Sequence, residues 1–162
     1  MAFRHFDVGD YRLAGDKGTL TMHFETTLCL THSAVLTMLN AGVQAAEEVG
    51  QPQCIVIVDA SGVTLGQIRM SGSKYLSLKS ALAKARTASS IRAASDAIPE
   101  AVGLSIAAAT DNDVTRLSGG LPIFIDGVCV GGVGVGSGTP DQDVSVAKAA
   151  IQAIGAHFSV QP

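Results

Sequence analysis

Tryptophan is absent from this chain, aromatic residues make up only 4% of it, and Asp, Glu, Lys and Arg together only 15%. So small a polar complement cannot coat a 162-residue chain that is 47% hydrophobic. Homo-oligomerisation through an apolar subunit interface is the expected remedy. Positive charge is not in excess either: the formal net charge is −3, which argues against nucleic acid as the main partner. Cys29, Cys54 and Cys129 are odd in number, far apart and never in a CxxC pair, so reduced, packed thiols are expected in place of a disulfide framework. HxH and HExxH motifs are missing, which removes the usual zinc sites. No run is long and apolar enough to span a bilayer. The start, MAFRHFDVGDYRLAG, lacks the unbroken apolar core of a secretory signal, so the expectation is a cytoplasmic protein without a membrane partner. A single domain of this length buries enough surface to be stable without staples.

What the chain does contain is concentrated between Leu117 and Asp143. Two apolar runs, Leu121–Ile125 and Val128–Val135, are joined by Asp126-Gly127, a pair suited to a two-residue hairpin turn in which both central positions take positive φ. After Gly136-Ser137-Gly138, Thr139, Pro140, Asp141 and Gln142 read as N-cap, N1, N2 and N3 of a helix, a capping box with proline where its missing N–H costs nothing. Unpaired N–H groups and the positive end of a helix dipole would then face outward, and Gly136, Ser137, Gly138 and Thr139 become candidate walls for an oxygen-rich anionic ligand. GxGxxG spellings occur here too, but a dinucleotide fingerprint needs a βαβ unit and these glycines lie inside a hairpin strand. Ser137 is not a nucleophile elbow, because the motif is GxGSG and not GxSxG.

Earlier in the chain, Leu20, Met22 and Phe24 alternate as in a short strand. From Thr31 the period becomes helical, with Val35, Leu39, Val43, Ala46 and Val49 as the inner stripe and Gly50 and Pro52 closing the element. Cys54–Val58 is apolar on both faces and should lie centrally in a sheet, paired with Val63–Met70 across a four-residue turn. A second helix is expected over about 74–92, with Tyr75, Leu78, Leu82 and Ala85 facing inward. Pro99 and Gly103 should interrupt the next segment, Thr110–Asp113 reads as loop, and a closing helix runs over about 140–157 through Val144, Ala147, Ile151, Ile154 and Phe158. Strands joined by tight hairpins are antiparallel, so the fold class is α+β.

Arg69, Lys74, Lys79, Lys84, Arg86 and Arg92 form a cationic stretch that no acid interrupts between Asp59 and Asp96. Arg69, at a strand end, and Lys79 are candidates for ligand carboxylates. Asp59 or Asp143 with Lys84 is the candidate set for general acid–base catalysis. His32, opening the first helix, is the candidate metal or haem-iron ligand.

Val56-x-Val58-Asp59-x-x-Gly62, Ile68-Arg69-Met70, Ala83-Lys84-Ala85, Gly119-Gly120-Leu121-Pro122 and Gly132-x-Gly134-Val135-Gly136-x-Gly138-Thr139-Pro140-x-Gln142-Asp143 succeed one another in that order. With this set the chain resembles the GlcG/HbpS family, which includes the C-terminal domain of PduO-type corrinoid adenosyltransferases. The resemblance runs from about Leu30 to about Phe158 and implies a profilin-like α+β domain, a central antiparallel sheet flanked by helices, assembling as a homo-oligomer. Residues 29–162 would form that single domain and residues 1–28 an N-terminal extension. It brings Gly119 and Gly120 into the ligand-binding set. Several family members bind haem, so haem, in sensing or handling, is the implied cofactor. The alternative is a cofactor-independent isomerase, lyase or hydrolase acting on a small oxygenated acid in a catabolic pathway, with a small carboxylate held by the glycine loop. Both readings need the glycine turn and the cationic stretch to open onto one cavity.

Overall fold

Five consecutive apolar residues before Asp59 make Cys54–Asp59 (β1) buried on both faces, and the rest of the molecule is layered on it. Residues 27–159 are described by the computed structural model of the chain; the short strand expected near Leu20–Phe24 lies outside them. β1 is flanked by Thr64–Arg69 (β2) and Val128–Gly136 (β4), with Gly120–Ile125 (β3) at the far side, giving the antiparallel order β2-β1-β4-β3. Asp126 and Gly127 turn the β3–β4 hairpin at φ 48° and 76°, the expected conformation. The fold class is α+β, as the pattern of elements required.

One face of the sheet carries His32–Glu48 (α1) and Pro140–Gln152 (α4), which close over Ile55, Ile57, Leu121, Ile123, Val133 and Val135. Thr31 caps α1 by accepting from the Ala34 N–H at 3.2 Å. The buried stripe of α1 is Val35, Met38, Gly42 and Ala46, not the one expected. Leu39 and Val43 sit at its margin and Val49 is exposed. Gly42 turns the helix: a Cβ there would lie 2.8 Å from Ile55 Cδ1, and a hydrophobicity pattern cannot register a glycine as an inner residue.

Ser77–Ile91 (α2) covers the other face, over Cys54, Val56 and Val58. Its inner side is Ala81, Lys84, Ala85, Thr87 and Ala88, while Tyr75 precedes the helix and is exposed, and Leu78 and Leu82 are only partly buried. The cause lies in β4. Alternate strand residues point to one face, and Gly132, Gly134 and Gly136 leave that face bare. A Cβ on Gly134 would run into Ala81 O and stand 2.6 Å from Ala85 N, and one on Gly132 would run into Ala85 O. Helix backbone therefore rests on strand backbone, and only small helical residues fit between.

Past α2, Pro99 does not interrupt a helix but introduces one, Glu100–Ala109 (α3), which runs through Gly103. Proline is tolerated at a helix start because its missing N–H has no intrahelical partner there. A turn at Asp111 and Asn112 (φ 51° and 66°) comes next. α4 is shorter than expected: Gly155 (φ 69°) turns the chain, and His157 then exchanges backbone hydrogen bonds of 2.8 and 2.9 Å with Phe124. Ile154 and Phe158 still reach the core, from beyond the helix. Among the described residues no helix is long and apolar enough to cross a membrane.

Candidate functional site

Gly136-Ser137-Gly138 turns the chain from β4 into α4 beside the start of α2, so the glycine turn and part of the cationic stretch do share a cavity. It is a cleft of about 250 Å3, lined by Lys74, Ser77, Ser80 and Lys84 on one side and by Ser118, Ser137, Gly138 and Asp143 on the other. At its floor Lys84 Nζ donates to Asp143 Oδ2 and to Val135 O, both at 2.7 Å, with the two side chains only 6% and 5% exposed. Gly119 (φ 103°) makes room for this pair: a Cβ there would stand 2.6 Å from Asp143 Cβ and 3.2 Å from Lys84 Nζ. On Gly120 a Cβ would collide with Lys84 O. Gly119, Gly120 and Gly136 are thus spacers against α2 and the ion pair.

The N–H groups expected to await an anion are partly engaged by the protein itself. Asp143 Oδ1 accepts from Gly138 N at 3.0 Å, Gln142 Oε1 accepts from Thr139 N at 3.0 Å, and Thr139 Oγ1 accepts from Gln142 N at 3.3 Å. The capping box is present, and a carboxylate from the first turn of α4 fills the position where a ligand's would have gone. Ser137 takes φ 98°. Its Oγ accepts from Lys74 N at 3.0 Å, and Lys74 Nζ donates to Ser137 O at 3.3 Å.

Four candidate residues lie elsewhere. Asp59 is at the opposite end of β1, five residues from the Cys54–Gly136 pair, roughly 16 Å along the strand. Its Oδ1 is committed to the β1–β2 turn, accepting from Ser61 N at 2.8 Å and Val63 N at 3.0 Å, so Asp59 and Lys84 do not share a site. Arg69 pairs with Cys54 at the glycine-turn end of the sheet, but on the outer strand, exposed and outside the cleft. Lys79 is exposed on α2 and lines a separate groove with Leu76, Ala83 and Ala107. His32 is exposed at the first position of α1.

A larger opening, about 700 Å3, lies at the other end of α2. It is bounded by the β1–β2 turn (Ala60–Val63), by Arg86, Ser90 and Arg92, and by the Thr110–Val114 loop. Arg86 Nε donates to Gly62 O at 3.1 Å and its Nη1 to Asp113 Oδ1 at 2.6 Å, whereas Arg92 is exposed at φ 55°. A smaller cleft of about 180 Å3, mostly apolar, adjoins it through Ala60 and Ser61 and is lined by Leu28, Cys29, Leu30, Leu65 and Val130. In the sequence Arg86 and Arg92 are legible only as members of a basic run; nothing local ties them to a turn 24 residues earlier. Among the described residues no group of three or more His, Cys, Asp or Glu side chains is arranged to hold a metal ion.

Comparison with known proteins gives a consistent picture. Residues 30–152 match the family model described as haem degrading protein HbpS-like. The chain is 30% identical over 135 residues to the corrinoid adenosyltransferase PduO of Citrobacter freundii, covering 80% of this chain but only 40% of that enzyme. Among solved structures it is similar to the PduOC:haem complex (TM-score 0.76, 26% identity, 82% of this chain and 99% of that one). It is similar, too, to a double mutant of HbpS from Streptomyces reticuli (TM-score 0.74, 28% identity, 88% and 96%).

Proposed function

Because this chain belongs to the HbpS-like family, we propose that it binds haem, in the pair of adjoining clefts at the β1–β2 turn. The observation that carries this reading is the family match over residues 30–152, joined to the likeness to a domain solved as a haem complex. The clefts suit the group on their own chemistry. About 700 Å3 falls within the roughly 300–1,000 Å3 that accommodates ligands of this size. Exposed Arg92 offers a guanidinium group to a propionate, Arg86 beside it being paired with Asp113, and Leu28, Leu30, Leu65 and Val130 offer an apolar wall to the macrocycle. His32 opens α1 two residues after Leu30 and is the iron ligand of this proposal, through a neutral ring nitrogen. Bound haem would supply the iron redox chemistry; the protein's own part is to seat the ring and neutralise its carboxylates. By contrast, the glycine-turn cleft, at about 250 Å3 with its central charges already paired, is too small for a tetrapyrrole.

The same proposal includes a homo-oligomer, supported by apolar residues left on the surface: Leu104 is 89% exposed, Tyr75 72% and Leu76 64%. A reducing, cytoplasmic setting belongs to it as well, supported by three unpaired cysteines. The test is a haemin titration of the full chain. The expected result is a saturable Soret band at one haem per chain, shifted in His32→Ala and about tenfold weaker in Arg92→Gln, the loss of one charge-assisted contact. Failure to bind stoichiometrically at micromolar haemin removes the proposal, and an unshifted band in His32→Ala removes His32 from it.

A further inference from the structure

We propose that the glycine-turn cleft is a second, independent binding site, for a hydroxy monocarboxylate of a few carbon atoms. Donors and acceptors lining it do not balance. An ammonium has three N–H donors. Lys84 spends two, on Val135 O and Asp143 Oδ2, and its third finds no acceptor among the described residues, although Nζ lies at the floor of a cavity. Lys74 spends one on Ser137 O and has two left at the rim.

The hydroxyls point the other way. Ser80 Oγ donates to Ser77 O at 3.1 Å and Ser118 Oγ donates to Asp96 Oδ2 at 2.6 Å, so each of these lining hydroxyls has spent its donor and keeps its acceptor capacity. Among the residues that line the cleft itself, two ammoniums face the single carboxylate of Asp143, the Asp96 carboxylate lying behind Ser118, which leaves the lining with one net positive charge. A molecule that completes this cavity therefore carries one negative charge, oxygen acceptors for Lys74 and Lys84, and at least one hydroxyl donor for Ser80 or Ser118. The volume, about 250 Å3, equals roughly eight waters at about 30 Å3 each; this limits the ligand to a small acid. Ser137, held at φ 98° and only 7% exposed, is fixed against the same space. This site shares no lining residue with the proposed haem clefts.

Sodium lactate is the probe, with propionate (no hydroxyl) and lactamide (no charge) as matched controls, on the haem-free full chain at constant ionic strength. Amide chemical shifts in a 15N-labelled sample are expected to move saturably at Ser118, Ser137 and Gly138. Affinity should be about tenfold lower for each control and about tenfold lower for lactate in Lys74→Met, an exposed position that keeps its backbone N–H bond to Ser137 Oγ. Equal response to propionate or to sodium chloride, shifts confined to Ala60–Val63, an unaffected Lys74→Met variant, or no shift at all would each overturn the assignment.

Discussion

Gly134→Ala tests whether the spacing of the two layers is set by main chain. The added Cβ would run into Ala81 O and stand 2.6 Å from Ala85 N. Both are backbone atoms in the middle of α2, and neither can swing aside as a side-chain tip would. Overpacking a core by one carbon costs about 1–3 kcal/mol, and an unyielding neighbour puts this site at the upper end. Against it stands about 0.4–1 kcal/mol gained from a less flexible unfolded chain. The expected net loss is about 2–3 kcal/mol. For a chain of this length each kcal/mol is worth about 2–4 °C in Tm, so Tm should fall by roughly 5–10 °C in thermal unfolding followed by far-UV circular dichroism. A helix displaced from the sheet also displaces Lys84 and Arg86, so lactate and haemin affinities should weaken together. A loss under about 1 kcal/mol with both affinities intact would refute the reasoning: α2 would then be able to slide, and the glycines would need another explanation.

Two further outcomes are expected. Lys84→Met strands Asp143 in the interior and should cost about 3–5 kcal/mol, whereas Lys84→Met with Asp143→Leu should recover most of it, because a buried ion pair is often replaceable by apolar residues but not halvable; a urea-denaturation double-mutant cycle reads the coupling. Leu104→Glu on α3 should lower the sedimentation coefficient of the protein if its exposed apolar face is a subunit contact, and an unchanged coefficient removes α3 from the interface.

The elements legible from residues alone are those whose signals are local. Apolar residues on both faces make β1 central, Asp126-Gly127 announces a hairpin, and Thr139-Pro140-Asp141-Gln142 announces a helix start, all of which stand in the fold. Hydrophobic periodicity misassigns an inner helical face wherever the packing residue is not hydrophobic: Gly42 in α1, and Lys84 and Thr87 in α2, where Lys84 would ordinarily be assigned to a solvated surface. The site is harder still, since its central pair joins residues 59 positions apart. The glycines most suggestive of a ligand loop serve chiefly as clearance for a helix. Asp59, in turn, is consumed by holding a turn that only the folded register reveals.

The glycine face of β4 also makes the molecule stiff in one direction. A side-chain interface can creep as residues repack, but a helix seated on bare strand has no cushion, and α2 behaves as a ruler. Over its 15 residues, about 22 Å at 1.5 Å each, it holds Ser77 and Lys84 at one opening and Arg86 and Ser90 at another. A substitution that lifts α2 off the strand should therefore disturb both openings at once, however far apart they lie.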